Sequence, residues 1–352
     1  MTSHAVRVAL LFGGASNEYE ISLRSAAAVY RHLGTEHIPI LIGITRAGEW
    51  LLYRGDVSAL ENDTWHKDAA NTSPLALSLR PQGGFITDKN EEIRPDVILP
   101  ILHGQTCEDG KLQGLLDHSG IPYIGCGCEA SVLGMDKAMT KMIAEKNGIP
   151  VAAWLLFDRS AGSFDLDADI RAIEEKFSGY PVFVKAVNSG SSVGAYRAED
   201  RASLRKALID AAEVDQKILV EEFVRGREIE TAVLERRSGM TVFTPGEIEP
   251  CADFYDYDTK YKTDSSRYYI PARLPADQLE TVRLYAERIF RAIGGRHLSR
   301  VDFFATEDGR IIFNEINTLP GFTSISMYPK MAEAGGVSFA QLLRILIEEA
   351  LS

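Results

Sequence analysis

An α/β unit followed by two α+β units is the architecture that this 352-residue chain predicts. Three observations point that way. Strands and helices alternate from Val6 to Asn147, hairpin-like strands covered by helices begin at Val151, and an aromatic-rich segment, a long helix and an acidic hairpin fill the last third. Strand–helix alternation makes a parallel sheet, and ligands of such sheets sit at the carboxyl ends of the strands. At roughly 150 residues per domain, the length suits two or three domains.

The elements follow in order. The apolar run Val6–Phe12 reads as a buried strand entering Gly13-Gly14, and Leu23, Ala26, Ala27, Tyr30 and Leu33 keep helical spacing after it. A second strand, Ile38–Ile44, precedes a polar stretch from about Arg54 to Arg94 with no clear period. Val97–Leu102 is a third strand, ending at His103-Gly104; a short helix follows near Lys111–His118, then a helix from about Glu129 to Asn147. In the second unit, Val182–Val187 and Gly194–Arg197 flank a Gly/Ser turn, a helix spans Arg201–Glu213, and strands occupy Ile218–Phe223 and Glu228–Leu234. The third unit holds Asp253–Tyr269, a helix near Ala276–Ile293, a hairpin over Val301–Asn317 and a terminal helix from Ser338.

Composition excludes several classes. There are 38 basic and 50 acidic residues, a net charge of −12, and no Lys/Arg run of the kind that meets nucleic-acid phosphates. The longest apolar stretches, such as Val6–Phe12, fall short of the roughly 18 residues a spanning helix needs, and Met1–His4 has no basic lead of a signal peptide. Cys107, Cys126, Cys128 and Cys251 form neither a disulfide framework nor a zinc spacing, so free thiols in a reducing cytosol are expected.

The strongest chemical motif is the hairpin Arg300–Asn317. Asp308-Gly309 between two apolar runs signals a type I′ turn. A turn centred there sets Asp302 opposite Glu315 and Arg300 opposite Asn317. Facing carboxylates repel across a sheet unless a cation lies between them. Asn317 shares the face of Glu315, and three hard oxygen donors suit Mg²⁺. A solvated acidic hairpin is the plain alternative, which the aromatic neighbours Phe304 and Phe313 weaken.

Other motifs carry weight only jointly. Lys185 with the turn Asn188–Gly194 can cradle an anion, although it can equally be just a turn. Lys137, the pair Glu221-Glu222 and Glu228 can reach phosphate, an adenine amino group or ribose hydroxyls, or be surface charges. Phe254–Tyr261 is either a lid that excludes water or a plain loop. Gly125–Ala130 matches G-x-G-x-x-A, but the acidic residue expected about 20 residues on is missing, so the match reads as a tight strand–helix connection.

Phe12–Leu23, Leu102-His103-Gly104, Glu108-Asp109-Gly110, Gly190–Gly194 and Asn314–Thr323, taken in order, resemble the D-alanine–D-alanine ligases, bacterial ATP-grasp enzymes of peptidoglycan precursor synthesis. The resemblance implies a three-domain ATP-grasp fold, with an N-terminal Rossmann-like parallel-sheet domain (1–132) and two α+β domains (133–226 and 227–352) clamping the nucleotide. It implies ATP and Mg²⁺ (Mn²⁺ as a substitute), a D-alanyl phosphate intermediate, and attack by a second D-alanine. Asp302, Glu315 and Asn317 then look like metal ligands. Lys137, Lys185, Glu221, Val224, Glu228 and Lys260 look like ATP contacts.

Glu18 is similar to the residue that holds the first ammonium, with Ser191 and Tyr261 pinning the lid. His103 resembles another first-subsite group, Arg300 and the Gly321 N–H resemble oxyanion stabilisers, and Ser326 and Met327 resemble groups at the second carboxylate. Two departures bear on local geometry: Cys107 where the family usually has glycine, and Ala186 where proline is common. The D-lactate relatives carry histidine at the position of Tyr261 and the D-serine ones often arginine at that of Met327, so this chain is expected to prefer D-alanine at both subsites. A cytoplasmic homodimer acting on small molecules, with no nucleic-acid or membrane partner, completes the expectation. Two rival readings stay open on the residues alone: an ATP-binding protein of this scaffold without catalysis, and a dinucleotide oxidoreductase resting on Gly125–Ala130.

Overall fold

The structure is a computed structural model that describes residues 5–80, 83–161, 165–190, 193–249, 267–323 and 325–352. The expected lid Phe254–Tyr261, Cys251, and the site residues Ser191, Lys260 and Tyr261 lie outside the described residues.

Among the described residues the strands form three sheets. The first has the order β6-β5-β4-β3-β2-β1-β7, with β1 Val6–Gly13, β2 His37–Ile44, β3 Trp50–Tyr53, β4 Thr72–Leu77, β5 Phe85–Thr87, β6 Glu92–Ile93 and β7 Val97–Leu102. Helices α1 (Tyr19–His32), α2 (Ser58–Glu61), α3 (Lys111–Ser119), α4 (Cys128–Met135) and α5 (Lys137–Lys146) belong to this part of the chain. β1 pairs in parallel with β2 and with β7, Ile98 of β7 bridges Tyr123 in parallel, and β2 through β6 run antiparallel. The expected parallel pairing forms at β1, β2 and β7, and an antiparallel edge extends it into a mixed sheet. The polar stretch Arg54–Arg94 supplies short edge strands whose alternation over three to six residues is too brief to register as a period.

The second sheet, β10-β9-β11-β8, is antiparallel: β8 Trp154–Asp158, β9 Val182–Ala186, β10 Ala195–Ala198 and β11 Lys217–Glu222, covered by α6 (Leu166–Phe177) and α7 (Arg201–Val214). The third has the order β15-β14-β12-β16-β17 with β13 on β12: β12 Gly226–Arg236, β13 Gly239–Val242, β14 Gly246–Glu249, β15 Arg267–Tyr269, β16 Leu298–Thr306 and β17 Ile311–Asn317. Helices α8 (Ala276–Ala292), α9 (Met327–Ala334) and α10 (Phe339–Ala350) complete it.

Helix α10 starts where its sequence dictates. Ser338 accepts from the Gln341 N–H while Gln341 returns a bond to the Ser338 N–H, a reciprocal cap. Its buried Leu342, Leu343, Leu346 and Ile347 join one core with Val8, Leu10, Phe12 and Leu23 of the first unit. Each such side chain contributes roughly 1.5–3 kcal/mol of burial. First and third units therefore share a core, whereas the second sheet closes around its own cluster of Ile170, Val184, Leu204, Leu208 and Ile218.

The helix expected over Glu129–Asn147 is two helices. Asp136 sits in extended backbone between α4 and α5, and its carboxylate accepts from the Met139 N–H at 2.9 Å, the job of an N-cap. Lys137 is thereby the first residue of α5.

The Gly125–Ala130 match is the tight connection expected of it. Gly125 adopts φ +118°, its N–H donates to His297 Nδ1 at 3.1 Å, and its carbonyl accepts from Arg296 Nε at 3.0 Å. Burial and the Arg296 charge hold the His297 imidazole down at about 4, so it folds neutral. The unfolded chain binds that proton more readily, and stability from this contact is complete above about 6.5 and drains away as pH falls toward 4. His297 itself adopts φ +61°; His297→Asn, which tolerates that backbone and keeps an acceptor, is expected to shrink the fall in Tm between pH 7.5 and pH 5, and an unchanged fall would remove His297 from that response.

Candidate active site

The acidic hairpin forms, but by two irregularities that cancel. The Thr306 N–H donates to the Arg310 carbonyl, so the turn is a three-residue Glu307-Asp308-Gly309 loop with Gly309 at φ +87°, and not the expected two-residue type I′ turn. That register pairs Phe303 with Phe313. A bulge then inserts Asn314, and beyond it Asp302 pairs with Glu315 and Arg300 with Asn317 as expected. Phe313 turns instead to Phe303, ring to ring at 5.9 Å.

Strand β12 runs alongside, with Glu230 opposite Asp302 on the other flank. Glu230, Asp302 and Glu315 thus form a row of carboxylates across three adjacent strands on one face. Arg300, two residues along, answers it. Its Nε bonds Asp302 Oδ1 at 2.8 Å and meets Glu230 Oε2 at 3.0 Å, while its second guanidinium arm bonds Asp302 Oδ2 at 2.7 Å. Burial works against the buried guanidinium's charge, but Asp302 and Glu230 more than restore it and drive its pKa upward. Lys137 Nζ lies 3.7 Å from Glu315 Oε2 and also bonds the Ser189 carbonyl.

This face opens on a cleft. Glu18, His103, Lys137, Arg300, Glu315 and Asn317 line it, and so do Gly321, Ser326 and Met327. Glu18 gets there because Gly13 and Gly14 turn at positive φ, and the Gly13 N–H donates to Ser22 Oγ of α1 at 2.8 Å. A Cβ on Gly13 would stand 2.1 Å from the Ile44 carbonyl, so only glycine fits. His103 Nδ1 lies 3.6 Å from Glu108 Oε1, which accepts the Gly104 N–H at 3.1 Å. Burial disfavours an imidazolium at His103, yet Glu108 and Glu18 overcome it and raise the pKa, while burial and the Glu18 charge raise the Glu108 carboxyl. Ser326 Oγ accepts the Thr323 N–H at 3.0 Å.

A second cavity lies on the far side of Glu315. Lys185, Glu221, Val224, Glu228, Phe304 and Asn314 line it. Neighbouring residues of β17 therefore serve different spaces, Asn314 the second cavity and Glu315 the cleft. Buried Glu221 binds two ammonium groups: Lys185 at 2.6 Å and fully buried Lys141. Burial pushes its carboxyl up, but both lysines together pull it down to about 2. Lys185 Nζ also donates to Asn314 Oδ1 at 3.0 Å.

Every expected site residue that is described thus falls in one of these spaces, except Asp302, which is covered by Arg300. Glu230 and Lys141 were not singled out, and Glu108 and Asn314 stood only within motifs, with no role of their own. Two had a legible sign: Glu230 stands two residues past Glu228 on a strand, and Lys141 one helical turn past Lys137. Nothing in the sequence announces the bulge that turns Asn314 inward.

Three sheets, with a cleft and a second cavity meeting at one acidic β-hairpin, define the ATP-grasp architecture. Residues 7–126 match the family described as D-ala D-ala ligase N-terminus and residues 143–348 that described as D-ala D-ala ligase C-terminus. The chain is 43% identical to a D-alanine–D-alanine ligase of Acetivibrio thermocellus, covering 98% of this chain and 96% of that protein. It is 46% identical to one of Ruminiclostridium cellulolyticum, over 98% and 95%. Among solved structures it resembles the VanG D-Ala:D-Ser ligase of Enterococcus faecalis, with TM-score 0.89, 39% identity, and 98% and 99% of the two chains covered. The chain belongs to the D-alanine–D-alanine ligase family.

The Lys141–Glu221–Lys185 cluster gives a stability test. Removing one partner of a buried ion pair typically costs about 3–5 kcal/mol. Lys141→Met is expected to lower the urea midpoint correspondingly; a midpoint equal to the parent's would show that Lys185 alone suffices for Glu221.

Proposed function

We propose that this chain joins two D-alanines at the expense of ATP, supplying D-alanyl-D-alanine for peptidoglycan precursors. The observation that carries the reading is the registration of Asp302 opposite Glu315 between a lysine-lined cavity and a cleft that holds Glu18, His103 and Arg300. Two facing carboxylates and the Asn317 amide oxygen make a donor set that fits Mg²⁺, with Mn²⁺ a substitute. These three residues would hold the ion, whose charge offsets that of the transferring phosphoryl group.

Glu221, Val224 and Glu228 receive the nucleoside, and Lys185 and Lys137 neutralise phosphate oxygens from opposite sides of the hairpin. Glu18, beside His103, accepts the ammonium of the first D-alanine. The carboxylate of that D-alanine attacks the γ-phosphorus, the bond to the β-phosphate oxygen breaks, and ADP leaves behind an acyl phosphate. The second amine then attacks the acyl carbon, and phosphate departs from the tetrahedral intermediate. Arg300 and the Gly321 N–H stand where negative charge develops on that carbon's oxygen, the place where fixed donors accelerate acyl transfer. Ser326 and Met327 face the second substrate. Ser191, Tyr261 and Lys260 keep the roles the resemblance implies.

The working domain boundaries are 1–132, 133–226 and 227–352, and we expect a cytoplasmic homodimer. No helix among the described residues is long and apolar enough to cross a membrane.

D-Serine is the rival second substrate, because a D-Ala:D-Ser ligase is among the structures this fold resembles. Met327 favours D-alanine. Its methyl group reaches so near Gly246 that a Cβ there would lie 2.2 Å away, leaving a packed apolar wall. Offered D-alanine, D-serine and D-lactate together, the enzyme is expected to yield mainly D-alanyl-D-alanine by mass analysis; a dominant mixed product would overturn that assignment. Arg300→Ala is expected to lower kcat by roughly 10²–10³. ATP binding with no phosphate release on adding D-alanine and Mg²⁺ would instead mark a non-catalytic binder.

A further inference from the structure

Glu230 has no part in the reaction described above, yet it is buried in the same acidic row. Its Oε2 lies 3.0 Å from Arg300 Nε, the nitrogen that also bonds Asp302. Arg300 covers both oxygens of Asp302, one of the carboxylates assigned to the divalent ion.

A cation arriving at Asp302 sets like charge beside a buried guanidinium, and like charges at such range repel strongly. The guanidinium cannot leave cheaply, because a buried charge stripped of its partner is costly. Glu230 is the carboxylate toward which it can yield. It flanks Asp302 on β12, while Glu315 flanks it on β17. Charge counting agrees. The row Glu230, Asp302 and Glu315 carries three negative charges against Arg300 and Lys137, one in surplus. Without Glu230 these side chains sum to zero, and a nucleotide-bound divalent ion would meet the same two fixed cations with one carboxylate fewer to offset them.

We propose that Glu230 is a positioning residue: it keeps Arg300 at the substrate cleft while Asp302 is given over to the nucleotide-bound cation, and its charge makes that exchange favourable. The inference rests on the ligase reading of this site and adds to it Glu230, which lines the same cleft beside Arg300.

The test uses the full-length protein and ADP binding by calorimetry at varied Mg²⁺, which needs no turnover. In Glu230→Gln, which keeps shape and an acceptor but loses the charge, the Mg²⁺ needed for half-maximal ADP binding is expected to rise by about tenfold or more, as removal of one charge at this range implies. With Mg²⁺ saturating, kcat of Glu230→Gln should stay near that of the parent, because Arg300 retains its acceptor. Glu230→Ala should show the same Mg²⁺ shift together with a fall in kcat. Unfolding midpoints identify any variant that fails to fold; Glu230→Gln, being isosteric, keeps the test alive if Glu230→Ala does. Parental Mg²⁺ dependence in a folded Glu230→Gln overturns the proposal. Asp302→Asn separates the two levels: if it shifts the Mg²⁺ dependence while the Glu230 variants do not, only the role of Glu230 falls, and if it shifts nothing, the metal assignment falls with it.

Discussion

Like charges on adjacent strands destabilise a sheet, and this molecule places three carboxylates in one row across β12, β16 and β17. The row persists because cations converge on it from separate elements. Arg300 comes from the strand that carries Asp302, and Lys137 from the start of α5, where the Asp136 cap breaks what would otherwise be one helix. The bulge at Asn314 brings Glu315 into line with Asp302. Each irregularity is a local departure from ideal geometry whose effect is to bring opposite charges within reach of one another.

The same hairpin divides the two working spaces. On one side is a buried cluster in which Glu221 satisfies two lysines, and Lys185 also reaches across to Asn314. On the other, the carboxylates of Glu18 and Glu108 lie around the His103 imidazole at the cleft. The first and third units share a hydrophobic core through α10, so Glu18 and Arg300 are held by one packed body. The second sheet closes around a core of its own and brings Lys185 to the hairpin from a separate packed layer.

Much of this was legible in the sequence. Apolar runs such as Val97–Leu102 and the Ser338 cap mark their elements because burial and capping act locally. The pairing of Asp302 with Glu315 was also readable, but through compensation: the turn is one residue longer than assumed, and the bulge shifts the register back. A bulge leaves no signature in residue type, so the inward turn of Asn314 and the pairing of Phe313 with Phe303 could not be read. Asp136 inside an apolar-periodic run looks like a helix residue until tertiary contacts, here Lys217 at 2.9 Å, hold it as a cap. Lys141 and Glu230 keep the spacing to Lys137 and Glu228 that hints at a shared face, but only the fold shows that they are buried and paired.

The most direct test of the central claim is anomalous diffraction from crystals grown with ADP and Mn²⁺. The account predicts a manganese peak between the side-chain oxygens of Asp302, Glu315 and Asn317, with Arg300 still in contact with Glu230. A peak elsewhere, or nucleotide bound with those two carboxylates still held only by Arg300 and Lys137, would contradict it.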